Sequence, residues 1–188
     1  MPETPEELYA RVQEQGLRMP PVAEWETWPF EGALQPRTLQ PPVEFERPRL
    51  GEEAADCWRC QHGDEHAIWS DGRWLVTSIR EPNGLPCIVL LFPRRHVDLG
   101  DLDDAEAADL GGMLVRVERA VRSVSHVGRV HVCRWGDGSY HLHYWFIARP
   151  ARFPQLIGSF AAVWDDVLPP TPQDVWDENL AIVARALG

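Results

Sequence analysis

The stretch 101–125, DLDDAEAADLGGMLVRVERAVRSVS, restricts the fold of this chain more than any other feature. Its apolar residues recur at helical spacing, and its acidic residues crowd the end where a helix dipole favours negative charge. The apolar positions are Leu110, Met113, Leu114, Val117, Val121 and Val124. The pattern predicts one long helix. Because strand-like segments precede and follow it, the chain is expected to be α+β with a largely antiparallel sheet.

Five segments have the apolar and aromatic content of strands. They are 67–71, 73–79, 87–92, 129–135 and 140–148. The Asp71-Gly72 dipeptide between the first two is a hairpin signal, and Pro93 ends the third. The tight GDGS loop, residues 136–139, joins the last two, so these are expected to be neighbours in the sheet.

The N-terminal part has a different composition. Residues 4–16 are predicted to form a short helix with Thr4 as N-cap and Pro5 at the first helical position. Residues 20–48 contain many prolines with Trp25, Trp28 and Phe30 between them, which excludes a regular helix or a central strand. We expect an extended arm that lies on the main domain or on a partner subunit.

Two helices are predicted near the C-terminus, at about 153–167 and 172–187. The expected organisation therefore has three parts. They are an N-terminal helix and arm (1–48), an α+β domain (49–150) and a C-terminal helical extension (151–188).

Charge and hydropathy exclude two classes of partner. The formal net charge is −11, and proteins that bind nucleic acid through a broad surface usually carry a basic stripe. A small nucleotide in a local pocket remains compatible with this charge. No apolar run approaches the ~20 residues needed to cross a bilayer, and the opening residues are acidic and polar. We therefore expect no nucleic-acid or membrane partner and a cytoplasmic location.

Cys57 and Cys60 have the CxxC spacing that lets two thiolates bind one tetrahedral zinc ion. Two pairs of histidines are available to complete such a site. They are His62 with His66, close in sequence, and His96 with His141, which are distant. Composition slightly favours the local pair, although its spacing is shorter than in most zinc modules. The residues alone leave both alternatives open.

Two further motifs point to a family. FPRRH (92–96) follows an apolar strand, and HLHYW (141–145) comes after the long helix. This arrangement resembles the histidine-triad superfamily, whose signature His-φ-His-φ-His follows a proline-basic-x-His segment, φ being apolar. The upstream CxxC resembles the zinc-containing members, including the galactose-1-phosphate uridylyltransferase branch. The resemblance covers about 57–150 and implies a HIT-like fold.

The resemblance also implies which residues form the metal site. In the zinc-containing relatives the two cysteines, the histidine of the proline-basic segment and the first histidine of the signature bind the ion. The corresponding residues here are Cys57, Cys60, His96 and His141. Two thiolates and two neutral imidazoles fill a tetrahedron and cancel the charge of Zn²⁺, so this zinc is expected to be structural.

Side chains two apart on a strand share a face, so His141, His143 and Trp145 are expected to line up. The resemblance makes His143 the nucleophile that forms a nucleotidyl-histidine. The loop residues Gly136, Asp137 and Gly138 are expected to bind the substrate phosphate, with Ser139 adding a catalytic hydroxyl. Trp145 replaces the third histidine and is assigned to substrate binding.

The implied activity is a nucleotide hydrolase or nucleotidyltransferase that acts on a phosphate ester, anhydride or phosphoramidate. One alternative is a divergent zinc-stabilised enzyme that uses the same pocket for another small substrate. Another is a non-catalytic binding protein with the same fold. Because members of the superfamily commonly dimerise, the resemblance also implies a homodimer.

Overall fold

A five-stranded antiparallel sheet lies at the centre of residues 49–188 in the computed structural model, which describes residues 3–17, 25 and 27–188. The strands are β1 (Ala67–Ser70), β2 (Trp74–Ser78), β3 (Ile88–Pro93), β4 (Val127–Cys133) and β5 (Tyr144–Pro150). Their order in the sheet is β1-β2-β3-β5-β4. The hairpin at Asp71-Gly72 and the pairing of β4 with β5 are both as predicted. The α+β fold class is therefore confirmed.

The described residues form five α-helices. They are α1 (Pro5–Gln15), α2 (Trp58–His62), α3 (Asp104–Arg122), α4 (Ala161–Val167) and α5 (Gln173–Leu187). The long helix predicted from the apolar spacing is α3, which begins where the Asp103 side chain accepts a hydrogen bond from the Glu106 N–H. Its buried residues include Val117 and Val121, which belong to the same core cluster as Phe146 of β5. No helix among the described residues is long and apolar enough to span a bilayer.

The strand predicted at 140–148 begins later than expected. β5 starts at Tyr144, so His141 and His143 lie in an extended segment just before it. The pairing with β3 stops where Leu91 meets Tyr144. Beyond that point the Leu142 N–H donates to the carbonyl of Val97, which follows the end of β3. The histidine segment is therefore anchored outside the regular ladder.

The prediction of a helix at 153–167 is also wrong for the first half of that range. Two short 3₁₀ turns, Pro154–Leu156 and Gly158–Phe160, precede α4. Gly158 has a φ of 65°, a left-handed conformation that a continuous α-helix cannot contain. The second predicted helix is α5, which packs against α3 and β1 within the same unit as the sheet.

The N-terminal unit, residues 1–48, contains α1. The Thr4 side chain accepts a hydrogen bond from the Glu7 N–H, and the Glu7 carboxylate accepts one from the Thr4 N–H, so the predicted N-cap is confirmed. Residues 27–48 contain no helix or strand, as their prolines predict. The part of the predicted arm at 20–24 and at position 26 lies outside the described residues. Where the arm lies remains a prediction.

Candidate functional site

The structure brings together the four residues that the family resemblance assigns to the metal. The potential ligand atoms of Cys57, Cys60, His96 and His141 all lie within 4.8 Å of one another. Cys57 is the N-cap of α2 and Cys60 lies inside that helix, so the CxxC spacing turns both thiols the same way. His96 follows β3 and His141 precedes β5. The cluster therefore connects three separate segments of the chain.

Both histidines of the cluster are oriented by their other ring nitrogen. The Nε2 of His141 lies 2.8 Å from the carbonyl of Pro93, and the Nε2 of His96 lies 3.1 Å from the carbonyl of Glu52. Because a carbonyl only accepts, each Nε2 carries the proton and donates it. Each Nδ1 then has a free lone pair that faces the thiols, the arrangement that metal-binding histidines usually have. Burial lowers the pKa of His141, which keeps its ring neutral.

The spacing within the cluster fits a tetrahedral ion. Zinc bound to one sulfur and one nitrogen places these two atoms about 3.5 Å apart. The His141 Nδ1 lies 3.3 Å from the Cys57 Sγ and 3.7 Å from the Cys60 Sγ. The His96 Nδ1 lies 3.4 Å from the Cys60 Sγ. These residues can hold a metal ion without rearrangement of the backbone.

The local histidines do not join this cluster. The His62 Nδ1 bonds to the Trp58 carbonyl at 2.8 Å, and its ring stacks on the Trp58 indole. The His66 Nε2 lies 3.3 Å from a carboxylate oxygen of Glu65. The alternative that composition slightly favoured is therefore not the one that the structure assembles.

His143 is held in a defined orientation beside the cluster. Its Nδ1 lies 2.9 Å from the carbonyl of His141, so Nδ1 donates and Nε2 keeps the lone pair. No described residue forms a hydrogen bond with this Nε2. The atom is also not among the side-chain atoms that are both fully buried and without a partner, so part of its surface reaches solvent. The residue is 8% exposed, and its ring stacks on Phe92 at 5.7 Å. The arrangement presents one nucleophilic nitrogen.

The GDGS loop, residues 136–139, ends two positions before His141. None of its four backbone N–H groups donates a hydrogen bond to another described residue. One of its contacts with the rest of the chain is made by a carbonyl, since the Gly138 oxygen accepts from the Leu50 N–H at 2.9 Å. Successive unpaired N–H groups in a glycine-containing loop can bind an anion. The Asp137 carboxylate is exposed, and the Ser139 hydroxyl has no partner among the described residues.

A group of charged residues that the sequence did not single out anchors this loop. One Asp98 carboxylate oxygen accepts from the Arg49 Nη1 at 2.7 Å, and the other accepts from the Arg134 guanidinium. The Arg49 Nη1 also donates to the Gly136 carbonyl at 3.1 Å. These three residues are far apart in sequence and match no motif, so no local signal could have found them.

Trp145 occupies the position of the third histidine. It pairs with Leu90 of β3 and Cys133 of β4, and its ring meets His143 edge-on at 6.2 Å. Its Nε1 is buried without a hydrogen-bond partner. An indole N–H can donate but cannot accept, so Trp145 cannot exchange protons as a histidine would.

Together, the sheet, the His141-x-His143 segment before β5 and the adjacent Cys₂His₂ cluster define a histidine-triad fold. A zinc-bound histidine-triad family protein from Mycobacterium smegmatis matches with a TM-score of 0.52 and 22% identity, over 72% of this chain and 95% of that one. A histidine-triad protein from Bradyrhizobium japonicum has a TM-score of 0.51 and 21% identity, over 65% and 90%.

A histidine-triad protein from Sinorhizobium meliloti also matches, with a TM-score of 0.51 and 18% identity, over 63% of this chain and 87% of that one. No protein-family model matches the chain, and no curated protein matches its sequence. At these identities the structural matches establish the fold, and the activity has to be argued from the site.

Proposed function

We propose that this protein is a nucleotide hydrolase or nucleotidyltransferase that forms a nucleotidyl-histidine at His143. The observation that carries the proposal is the orientation of this ring. Its Nδ1 is committed to the His141 carbonyl at 2.9 Å, which leaves the Nε2 lone pair facing solvent. A neutral imidazole fixed in one orientation is an effective nucleophile near pH 7.

The reaction proceeds in two displacements at phosphorus. In the first, the His143 Nε2 lone pair forms a bond to the α-phosphorus, and the leaving group departs with the bonding electron pair and takes a proton from water. In the second, water or another phosphate attacks the phosphorus, and the P–N electron pair returns to Nε2. An attacking water gives up one proton to solvent, which balances the proton that the leaving group took in the first step. Unpaired N–H groups of residues 136–139 stabilise the charge on the phosphate oxygens.

The Cys₂His₂ cluster holds one structural zinc ion. Its donor set of two thiols and two Nδ1 atoms suits zinc and leaves no open position for substrate. The zinc-bound histidine-triad protein from Mycobacterium smegmatis has the same fold, which supports this choice of metal. The ion supplies a fixed connection between α2 and the histidine segment and takes no part in the chemical step.

Labelling of the protein tests the proposal. Incubation with a radiolabelled nucleoside 5′-phosphoramidate should leave an acid-labile adduct on the wild type. In His143→Asn the amide N–H can still donate to the His141 carbonyl, but no nucleophilic nitrogen remains, so the adduct should be lost. His126→Asn is the matched control, because His126 is exposed and asparagine tolerates its positive φ of 65°.

The other outcomes decide against the proposal in different ways. An adduct that persists in His143→Asn would place the nucleophile elsewhere. A wild-type protein that binds the nucleotide but never forms an adduct would indicate a non-catalytic binding protein. The presence of Trp145 where the family has a third histidine favours this alternative. Turnover of a different small substrate without an adduct would indicate the divergent enzyme.

A further inference from the structure

A cavity of about 490 Å³ lies between the end of β5 and the C-terminal helices. This volume is within the range of small-molecule pockets. Residues just before β3 and at the end of β5 form one side of it, and residues that follow β5 form the other. The second side lies outside the stretch that resembles the histidine-triad family. The lining residues that matter here are Pro86, Phe153, Leu156, Thr171, Val175 and Asn179.

The cavity lies far from the proposed nucleophile. Pro150, in the cavity wall, is the last residue of β5, whereas His143 directly precedes the first residue of that strand. A strand rises about 3.3 Å per residue, so the length of β5 places about 20 Å between these two points. The cavity is therefore separate from the position of the reacting phosphate.

The cavity wall exposes large apolar side chains. Phe153 is 53% exposed and Val175 is 46% exposed, and both line the cavity beside the buried Leu156. Arg152, directly before Phe153, has a φ of 66°, a strained conformation for a residue other than glycine. Strain of this kind is typical of segments that hold a ligand. The backbone thus keeps the Phe153 ring at the cavity, where the apolar body of a ligand can cover it.

The polar groups of the wall offer hydrogen-bond acceptors. The Asn179 Nδ2 donates to the Pro86 carbonyl at 2.8 Å, so the amide oxygen of Asn179 is left to accept. No described residue forms a hydrogen bond with this oxygen, and it is not a fully buried atom without a partner. The Thr171 hydroxyl donates to the Leu85 carbonyl at 2.9 Å, which leaves its lone pairs to accept as well.

The wall carries no fixed charge. The residues that line the cavity include no aspartate, glutamate, lysine or arginine. An ionic ligand would lose its hydration here without gaining a partner of opposite charge. The ligand that matches these walls is therefore uncharged, has an apolar body and donates a hydrogen bond.

We infer that this cavity binds a small uncharged aromatic molecule that carries an N–H donor. Its ring lies against Phe153, and its N–H donates to the oxygens of Asn179 and Thr171. The inference goes beyond the proposed function and does not depend on it, because neither His143 nor a phosphate takes part in the binding.

A titration followed by ¹H–¹⁵N NMR of the full chain tests the inference. Indole is the probe, because it is uncharged and bicyclic and has one N–H. Benzofuran has the same shape, with an oxygen in place of the N–H. Indole should shift the side-chain amide signals of Asn179 in a saturable way. It should bind about 5-fold tighter than benzofuran, a difference that corresponds to one hydrogen bond.

A filled cavity should not bind the probe. Val175→Trp fills the cavity from the exposed side of α5 and should abolish the saturable shifts. Val115→Trp is the matched control, because it makes the same change at a similarly exposed position of α3 that does not line the cavity. Absence of saturable shifts in the wild type would overturn the inference, as would unchanged binding of indole to Val175→Trp.

Two further variants test the acceptors. Asn179→Leu and Thr171→Val each keep the approximate size of the side chain and remove one acceptor oxygen, so each should reduce the preference for indole over benzofuran. Equal affinity of the wild type for the two probes would contradict the inference, and so would a preference that survives both substitutions. The labelling of His143 is a separate measurement, and its result leaves this site unaffected.

Discussion

At the scale of single residues, Asp165 couples stability to pH. Its carboxylate accepts hydrogen bonds from the Leu85 N–H at 3.1 Å and the Asn83 side chain at 2.5 Å. Burial nevertheless raises its pKa to about 6, above that of an unfolded aspartate. The folded state thus binds this proton more tightly, so the stabilisation present below about pH 4 is lost as pH rises through about 6.

Asp165→Asn should therefore become more stable relative to the wild type at about pH 7.5 than at about pH 5. A shift of two pKa units corresponds to about 3 kcal/mol, and solvent screening of this half-buried group reduces the effect to about 1 kcal/mol. Urea unfolding at both pH values measures the difference. Asp174→Asn, at an exposed position, should show no such difference between the two pH values. An equal response of both variants would instead assign the effect to the change in net charge.

At the scale of structural elements, the segment 49–51 holds the GDGS loop in place through hydrogen bonds. The Leu50 N–H donates to Gly138, and the Tyr140 N–H donates back to Leu50 at 3.0 Å. Arg49 adds its contacts with Asp98 and Gly136. We expect Arg49→Met, which keeps the length and removes the charge, to let this loop open locally.

The readout is amide hydrogen exchange. Loss of the charged hydrogen bonds costs about 1.5 kcal/mol, so the Tyr140 amide should exchange about 10-fold faster in Arg49→Met. Arg95→Met is the control, because Arg95 makes a comparable ion pair with Glu106 on the surface. If both variants exchange at the wild-type rate, the backbone pairing through Leu50 is sufficient to hold the loop.

Elements with a strong local pattern could be predicted from the sequence, and those defined by distant contacts could not. The apolar period of α3 and the Asp71-Gly72 turn are local, and both were correct. The start of β5 depends on where its backbone pairing with β3 ends. The HLHYW pattern carries no information about that position. The metal cluster required the family resemblance, because only the fold brings His96 and His141 to the CxxC motif.

At the scale of the whole molecule, the Cys₂His₂ cluster brings together distant parts of the chain. It connects α2 to His96, which follows β3, and to His141, which precedes β5. Through His141 it also fixes the carbonyl that orients His143. A bound metal should thus stabilise the fold and the nucleophile together, because the binding free energy of a structural zinc ion is gained only in the folded state.

Elemental analysis should find one zinc per chain, and Cys60→Ser should lose it. Loss of the ion should lower the melting temperature by on the order of 10 °C, since each kcal/mol shifts it by about 2–4 °C in a chain of this size. Cys133→Ser, a half-buried cysteine outside the cluster, should retain the full metal content. A metal-free protein with an unchanged melting temperature would show that the core packing alone holds these segments, and the orientation of His143 would then not depend on the ion.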